Sequence, residues 1–456
     1  MPSGGNANVY GASPFPRAVL GYAASTANDI SAPAFAHLAQ VVAGWPEGEA
    51  LSGEHYSERL AQLRGRIRSA YSLAQDTAIA FAPSGTDLEL FALALARARH
   101  RLPVRNILLG QEEIGSGCAA AAAGRYFSNS TALRPVVVKG SCIAGLEQTH
   151  VLEIGVRDLA GVPRTAAQVT DEIDRACIDA RAAGHHALVH IVHGSKTGLV
   201  LPDLAGVDYL RHRHGQAMTL VVDACQARLS SDAIAAYLAR GAIVLLTGSK
   251  FIGGPPFSGF ALVPGKLMPQ ASLAAGLDAV LRRAELPANW PALEAFETGA
   301  NPGLLLRLEA AVFELERYGE IPPERRARVA AAFAASVCAL AERLGVSLLT
   351  PSLEGADLHL STLATLDLSA LAGAPDLATA QLWGKVLAAR GMRLGQPVKV
   401  IRRADGRWTG TLRLSLSMPL IVSLADHAPG DLADYFGTDM DRIADVLEAA
   451  QRRVAG

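Results

Sequence analysis

The chain lacks a surplus of either charge. Its 456 residues carry 42 Lys and Arg against 43 Asp and Glu, a formal net charge of −1. No polybasic stretch and no acidic tail disturbs that balance, so neither nucleic acid nor an anionic membrane is an expected partner. No window reaches the roughly 18 uninterrupted apolar residues that would predict a bilayer-spanning helix. The opening stretch, MPSGGNANVYGASPFP, has no basic start followed by an apolar core, so no secretory signal is expected. Cysteine pairs are missing too. Cys118, Cys142, Cys177, Cys225 and Cys338 are scattered, with no CxxC among them, and an odd count suits a reducing cytoplasm better than a disulfide framework. Internal repeats and long low-complexity runs are absent. What is present is core material. Half of the residues are apolar, enough for two or three domains, or one large domain with a smaller satellite.

Residues 1–50 read as an irregular N-terminal arm, rich in Gly, Pro and Ser, lying over the body or over a neighbouring subunit. Regular patterning begins near residue 54. SERLAQLRGRIRSAYSL has helical spacing, TAIAFAP reads as a short buried strand, and TDLELFALALARARH as a helix opened by Thr86 and Asp87. The alternation continues. VRNILLG, THVLEIGV, HALVHIVHG, MTLVVDAC and AIVLLTGS are expected strands; IGSGCAAAAAGRYF, AAQVTDEIDRACIDARAAG, GVDYLRHRHG and SSDAIAAYLARG are expected helices. Nearly all-apolar strands alternating with helices predict an α/β major domain over residues 51–302, a three-layer α/β/α arrangement around a mainly parallel sheet. From 303 to 456 the style changes to long helices followed by the strands LHLSTLATLDL and TLRLSLSM, which predicts a smaller α+β C-terminal domain closed by a helix near MDRIADVLEAAQRR.

Ligands of such sheets sit beyond the carboxyl ends of the strands, so those ends carry the chemistry. Ser84-Gly85-Thr86 falls at a strand-to-helix turn, where free N–H groups and hydroxyls form an anion cradle, or simply a capped helix start. His193-Gly194-Ser195-Lys196-Thr197-Gly198 follows another strand. Its GSKT string lacks the glycines of a nucleotide-binding P-loop. His190 and His193 point to opposite faces of one strand, so a metal reading fails, and His190 is expected to be a packed strand histidine. Asp223 ends a strongly apolar strand, with Gln226 one turn on. Lys250 ends the next strand, one strand–helix–strand unit later, so both can face one crevice. A lysine between apolar walls can act as an amine nucleophile. Gly248, Gly253, Gly254 and Gly259 are expected to leave room there for a flat group. One ligand answers a phosphate cradle, an amine, a carboxylate and ring-hydroxyl partners together: pyridoxal 5′-phosphate.

With these motifs the sequence resembles the fold-type I pyridoxal-phosphate enzymes, in particular the class V aminotransferase and cysteine desulfurase group. The segments PSGTDLE, HGSKTGLVLPD, VVDACQ, GSKFIGGPPFSGF, ETGANPGLLLRLEAA and LRLSLS occur in the group's order over most of the chain. The resemblance implies that Lys250 forms the Schiff base and that Asp223 pairs with the ring nitrogen. It implies that Gln226 and Thr197 contact the ring hydroxyl, within a cofactor-binding set that includes His193 and Ser195. Ser84, Gly85, Thr86 and Ser249 would hold the phosphate. Thr298 would reach the phosphate of a neighbouring subunit, implying a homodimer with shared sites, and Arg413 would clamp the substrate carboxylate.

The sequence also departs from the group. No histidine or aromatic stands where the ring is usually covered; that strand leads into Gln111-Glu112-Glu113, so Glu113 or a neighbour would have to take the role. Cys338, inside an apparent helix, reads as core rather than as a sulfur carrier. The implied activity is a pyridoxal-phosphate-dependent aminotransferase acting on an amino acid through an external aldimine. The alternatives are a lyase sharing the same first steps and a non-catalytic cofactor-binding regulator. A dehydrogenase reading fails for want of a G-x-G-x-x-G turn.

Overall fold

The computed structural model describes residues 11–23, 28–45, 51–133, 135–158, 160–349 and 358–455. β1 (Leu20–Tyr22) and α1 (Ala32–Ala43) come first, and α2 (Gly53–Ala70) leads into the central sheet. That region runs β2 (Ala78–Ala82), α3 (Gly85–His100), β3 (Val104–Leu109), α4 (Cys118–Ala122), β4 (Thr149–Ile154), α5 (Ala166–Ala182) and β5 (His186–His193). It continues through β6 (Val200–Leu201), α6 (Leu204–His214), β7 (Met218–Asp223), α7 (Ser231–Ala239), β8 (Ala242–Thr247) and β9 (Gly259–Val263).

The eight strands form one sheet in the order β2-β9-β8-β7-β5-β3-β4, with β6 paired to β5. β8, β7, β5, β3 and β4 are mutually parallel, whereas β9 opposes both β8 and β2. β2 therefore points the same way as the parallel five, and its carboxyl end opens on the same edge as theirs. The apolar runs follow from burial on both faces: every residue of β5 and of β8 is buried. This is the α/β architecture that the alternating pattern predicts.

The Ala-rich segment 114–127 differs from expectation, since only Cys118–Ala122 is helical. Gly115 and Gly117 press against their surroundings there. A Cβ on Gly117 would come 2.9 Å from Thr86 Cγ2, and one on Gly115 would come 3.0 Å from Cys118 Sγ. The chain is thus folded tightly over the start of α3 instead of continuing as a helix.

The C-terminal part comprises α8 (Pro302–Glu320), α9 (Pro323–Leu344), β10 (Ser347–Leu348), β11 (Leu363–Asp367), α10 (Leu377–Ala389), β12 (Met392–Leu394), β13 (Thr411–Ser415), α11 (Met418–Leu424) and α12 (Pro429–Ala455). β10, β11 and β13 make a small antiparallel sheet. Much of the expected strand 358–368 is instead a 3-10 turn at Leu360–Thr362 ahead of β11. The hydrophobic core runs across the expected boundary at 302/303, holding Leu246 and Phe251 together with Leu308, Ala311 and Leu414.

The described part of the N-terminal arm is not irregular. β1 pairs in parallel with β12. Tyr22 stacks on Phe333 of α9 at 5.8 Å, and its hydroxyl donates to Asp439 of α12 at 2.6 Å. α1 is capped by Ser31 and buries Ala34 in a cluster with Ala310 of α8. The arm is part of the C-terminal layer. No described helix is long and apolar enough to cross a membrane.

Candidate active site at the strand ends

Asp223 is in register with Val192 of β5 and Leu245 of β8. Lys250 follows β8 in a turn whose backbone is held from outside, because the Asn28 side-chain amide donates to the carbonyls of Ser249 (3.2 Å) and Lys250 (3.1 Å). Both Asp223 and Lys250 lie within electrostatic reach of the same two buried thiols, Cys118 and Cys225. Burial first, then the negative charges nearby, raises both thiols well above the ordinary range, so they stay protonated beside the amine and the carboxylate. Asp223 ends β7 and Lys250 lies in the turn just after the neighbouring parallel β8, so both fall at the same edge of the sheet.

The turn before α3 stands directly above. Gly85 leaves no room for a side chain: a Cβ would meet Cys225 Sγ at 2.7 Å and Thr247 Cγ2 at 3.3 Å. The first-turn N–H groups of Gly85 and Thr86 have no partner within the helix. Ser84 takes the capping role that the strand-to-helix turn also allowed. Its hydroxyl donates to Asp87 Oδ2 at 2.6 Å and accepts from the Asp87 N–H at 3.2 Å, so it serves as the helix cap. Asp87 is buried, which pushes its carboxyl up to about 6.

The glycines around Lys250 also act differently from the expected open slot. A Cβ on Gly248 or Gly254 would come 2.4 or 2.7 Å from Ala311 Cβ of α8, and one on Gly259 would lie 2.9 Å from the Ala82 carbonyl oxygen. They allow backbone to pack against α8 and β2, and Gly253 supplies the left-handed turn (φ +82°).

Glu113, the expected ring cover, is engaged by groups of its own chain. Its buried carboxylate is filled by donors: Ser195 Oγ at 2.7 Å, Thr197 N–H at 3.0 Å, Thr197 Oγ1 at 2.8 Å and Arg157 Nε at 2.8 Å. Arg157 also donates to Thr197 Oγ1 at 2.6 Å. Both hydroxyls expected to face the cofactor, Ser195 and Thr197, are thus committed to Glu113, which fixes the 195–198 turn as a rigid unit. His193 has its Nδ1 3.0 Å from the Tyr237 hydroxyl of α7.

That turn joins β5 to the antiparallel β6, not to a helix, so it has no P-loop geometry. It presents Lys196, whose Nζ donates to the Glu112 carbonyl at 3.0 Å. Arg413 of β13 is buried and donates from Nη1 to the Lys196 carbonyl at 3.4 Å, while its Nε has no hydrogen-bond partner. Burial lowers Arg413 to about 10, partly offset by Glu113. Among the described residues, Lys196, Lys250 and Arg413 form no salt bridge.

Gln226 is buried beside the crevice, and its carbonyl accepts from the Phe251 N–H at 3.3 Å. Thr298 is exposed and its backbone lies against Gly53 at the start of α2, away from the strand ends of its own chain. Cys338 sits on α9 and is half-buried rather than fully in the core. The sequence does not show the pairing of Glu89 on α3 with His190 on β5, 2.7 Å apart and buried, with Asp223 among the charges that raise the Glu89 carboxyl. His190 is a packed strand histidine with a carboxylate partner. No group of His, Cys, Asp and Glu among the described residues could hold a metal ion. A separate cavity of about 450 Å³ is lined by His37, Arg59, Arg66 and Glu309 among others. His37, Arg59 and Arg66 each pair with Glu309, and no strand-end residue lines it.

No family model and no curated protein matches the chain. Solved structures do. The chain is similar to a NifS-like protein, at 13% identity over 94% of this chain and 99% of that one, with a TM-score of 0.57. It is similar to the cysteine desulfurase CsdA from Escherichia coli, at 16% identity over 94% of each chain, TM-score 0.57. It is also similar to pyridoxamine-pyruvate aminotransferase from Mesorhizobium loti, at 16% identity over 95% of this chain and 99% of that one, TM-score 0.52. The likeness is one of fold, and it agrees with the fold that the strand-end motifs imply.

Proposed function

We propose that the protein is a pyridoxal-phosphate-dependent enzyme that acts on an amino acid, as an aminotransferase. What supports the reading is where Asp223 and Lys250 fall, at the end of β7 and in the turn just after the adjacent parallel β8. One lysine amine and one carboxylate from adjacent parallel strands flank the same two buried thiols, beneath a helix start that has no room for a Cβ at Gly85. The donor set fits the cofactor. The N–H groups of Gly85 and Thr86 would hold its phosphate. Asp223 would hold the proton on its ring nitrogen, and Lys250 Nζ its aldehyde carbon.

When bound, the cofactor supplies an electron sink for the charge left by breaking a bond at the substrate's α-carbon. The chain's own residues do the rest. Lys250 Nζ, once free, carries a proton to and from the substrate. Arg413 presents its terminal nitrogens to the substrate carboxylate, which completes a buried guanidinium that has one long hydrogen bond without it. Glu113, held by four donors, keeps the Lys196–Thr197 turn in place. Thr298 lies exposed on the surface, where it would serve the phosphate of a second copy in a homodimer.

The test is a titration of the purified protein with pyridoxal phosphate. A near-violet absorbance band should appear in the wild type and not in Lys250→Ala; an equal band in that variant overturns the reading. An amino donor should then discharge the band with one equivalent of keto acid and no ammonia. Ammonia release with the band retained would make the protein a lyase.

A further inference from the structure

Lys196 has no role in the chemistry above, yet its position is unusual. It leaves the β5–β6 turn half-buried, and among the described residues its ammonium, with three N–H donors, has one acceptor, the Glu112 carbonyl. The charges it feels most are cations, Arg413 from β13 and Lys250 from the turn after β8. The remaining groups facing it are the Cys118 thiol of α4, which burial keeps protonated, and Glu113. Glu113 cannot neutralise the cluster, because Arg157, Ser195 and Thr197 already fill its carboxylate. Asp223 is the counterpart of Lys250 and of a ring nitrogen. Among the described residues, Lys196 and Arg413 thus have no ion-pair partner, and Glu113, the anion that acts on both, is already paired with Arg157; such an arrangement is costly unless a ligand supplies the charge.

We propose that Lys196 and Arg413 together take a substrate with two acidic groups, Arg413 the carboxylate common to amino acids and Lys196 a second acid on the side chain. This rests on the reading of the strand ends as an amino-acid site. Glycine 194 and glycine 198 take left-handed backbone angles (φ +67° and +89°), so the turn that aims Lys196 is fixed at both ends. Lysine is a point charge rather than a fork, so it accepts a carboxylate, a sulfonate or a phosphonate.

The experiment measures calorimetric affinities of the full-length protein for succinate and for butyrate, which match in length but differ by one charge. Succinate should bind at least tenfold more tightly. Lys196→Met should bring the ratio to about one with butyrate unchanged, Lys196→Arg should restore most of it, and Arg413→Met should weaken both ligands. Burial and the neighbouring cations push Lys196 down to about 8, so the wild-type preference should decline through pH 8 and vanish near pH 9.5. The Lys196→Arg preference should persist across that range. 3-Sulfopropionate and 3-phosphonopropionate sort the kind of second acid.

A wild-type ratio near one, or a Lys196→Met variant that keeps the preference, overturns the proposal. Neither probe carries an amine, so the outcome is separable from that of the cofactor titration. A succinate preference without the Lys250-dependent band leaves the dianion site standing and removes the proposed function. The band without a preference does the reverse.

Discussion

Two buried arginines meet at the seam between the central sheet and the C-terminal layer, and their circumstances are opposite. Arg228 is completely buried; it donates to the Thr362 carbonyl at 3.2 Å, the Thr362 hydroxyl and the Leu416 carbonyl at 3.1 Å, and lies 4.8 Å from the centre of the Phe251 ring. Arg413 is nearly as buried, yet among the described residues its side chain makes one hydrogen bond, 3.4 Å long. Each leaves Nε bare, so the difference lies in the terminal nitrogens, the ones that grip an acceptor. The seam is closed at one end by protein carbonyls and left open at the other. A buried cation whose acceptors are built in holds structure together. One whose acceptors are missing marks where a ligand belongs.

Four substitutions break or sharpen that contrast. Arg228→Ala should cost most, about 3–5 kcal/mol in urea denaturation, because it strands two buried carbonyls and leaves a cavity. A loss under about 1 kcal/mol would erase the distinction between the two arginines. Glu113→Ala should follow at about 3 kcal/mol, since it leaves the Arg157 guanidinium, 2.8 Å away, without its counter-charge in a buried place.

Asp87→Asn should act in the stabilising direction, with a defined pH dependence. Burial raises the Asp87 carboxyl from 3.8 to about 6, so the folded chain holds a proton that the unfolded chain has released. The penalty is absent below about pH 4 and complete above about pH 6, where it reaches about 2–3 kcal/mol. The variant should therefore gain on the wild type between pH 4.5 and 7.5 in paired melts; a constant difference would contradict this. Arg413→Met should change stability least, within about 1 kcal/mol of zero, because it removes a charge with little to hold it. Its butyrate affinity should nevertheless fall about a hundredfold, which is about 2.7 kcal/mol.

The strands that carry the site are legible in the sequence because burial on both faces turns them into apolar runs. Asp223 and Lys250 follow from the strand order alone. What the sequence hides are partnerships between distant segments. Glu113 reads as the residue that would cover the ring until Arg157 and the 195–197 turn are brought to it. Glu89 and His190 lie on α3 and β5, and neither predicts the other. Lys196 sits in a string that reads as a failed P-loop and as one of the resemblance motifs, neither of which gives the lysine a role. β1 belongs to the C-terminal layer because its pairing partner, β12, lies near the other end of the chain. The glycines near Lys250 suggest space, since a missing side chain looks the same in sequence whether a ligand or Ala311 fills the gap.

The central claim is that Lys250 holds the aldehyde of pyridoxal phosphate. Borohydride reduction of the protein with bound cofactor, followed by mass mapping of the peptides, tests it most directly. The account predicts one stable adduct, on the peptide carrying Lys250, in a single equivalent per chain. An adduct on Lys196 or any other lysine, with Lys250 unmodified, would contradict it.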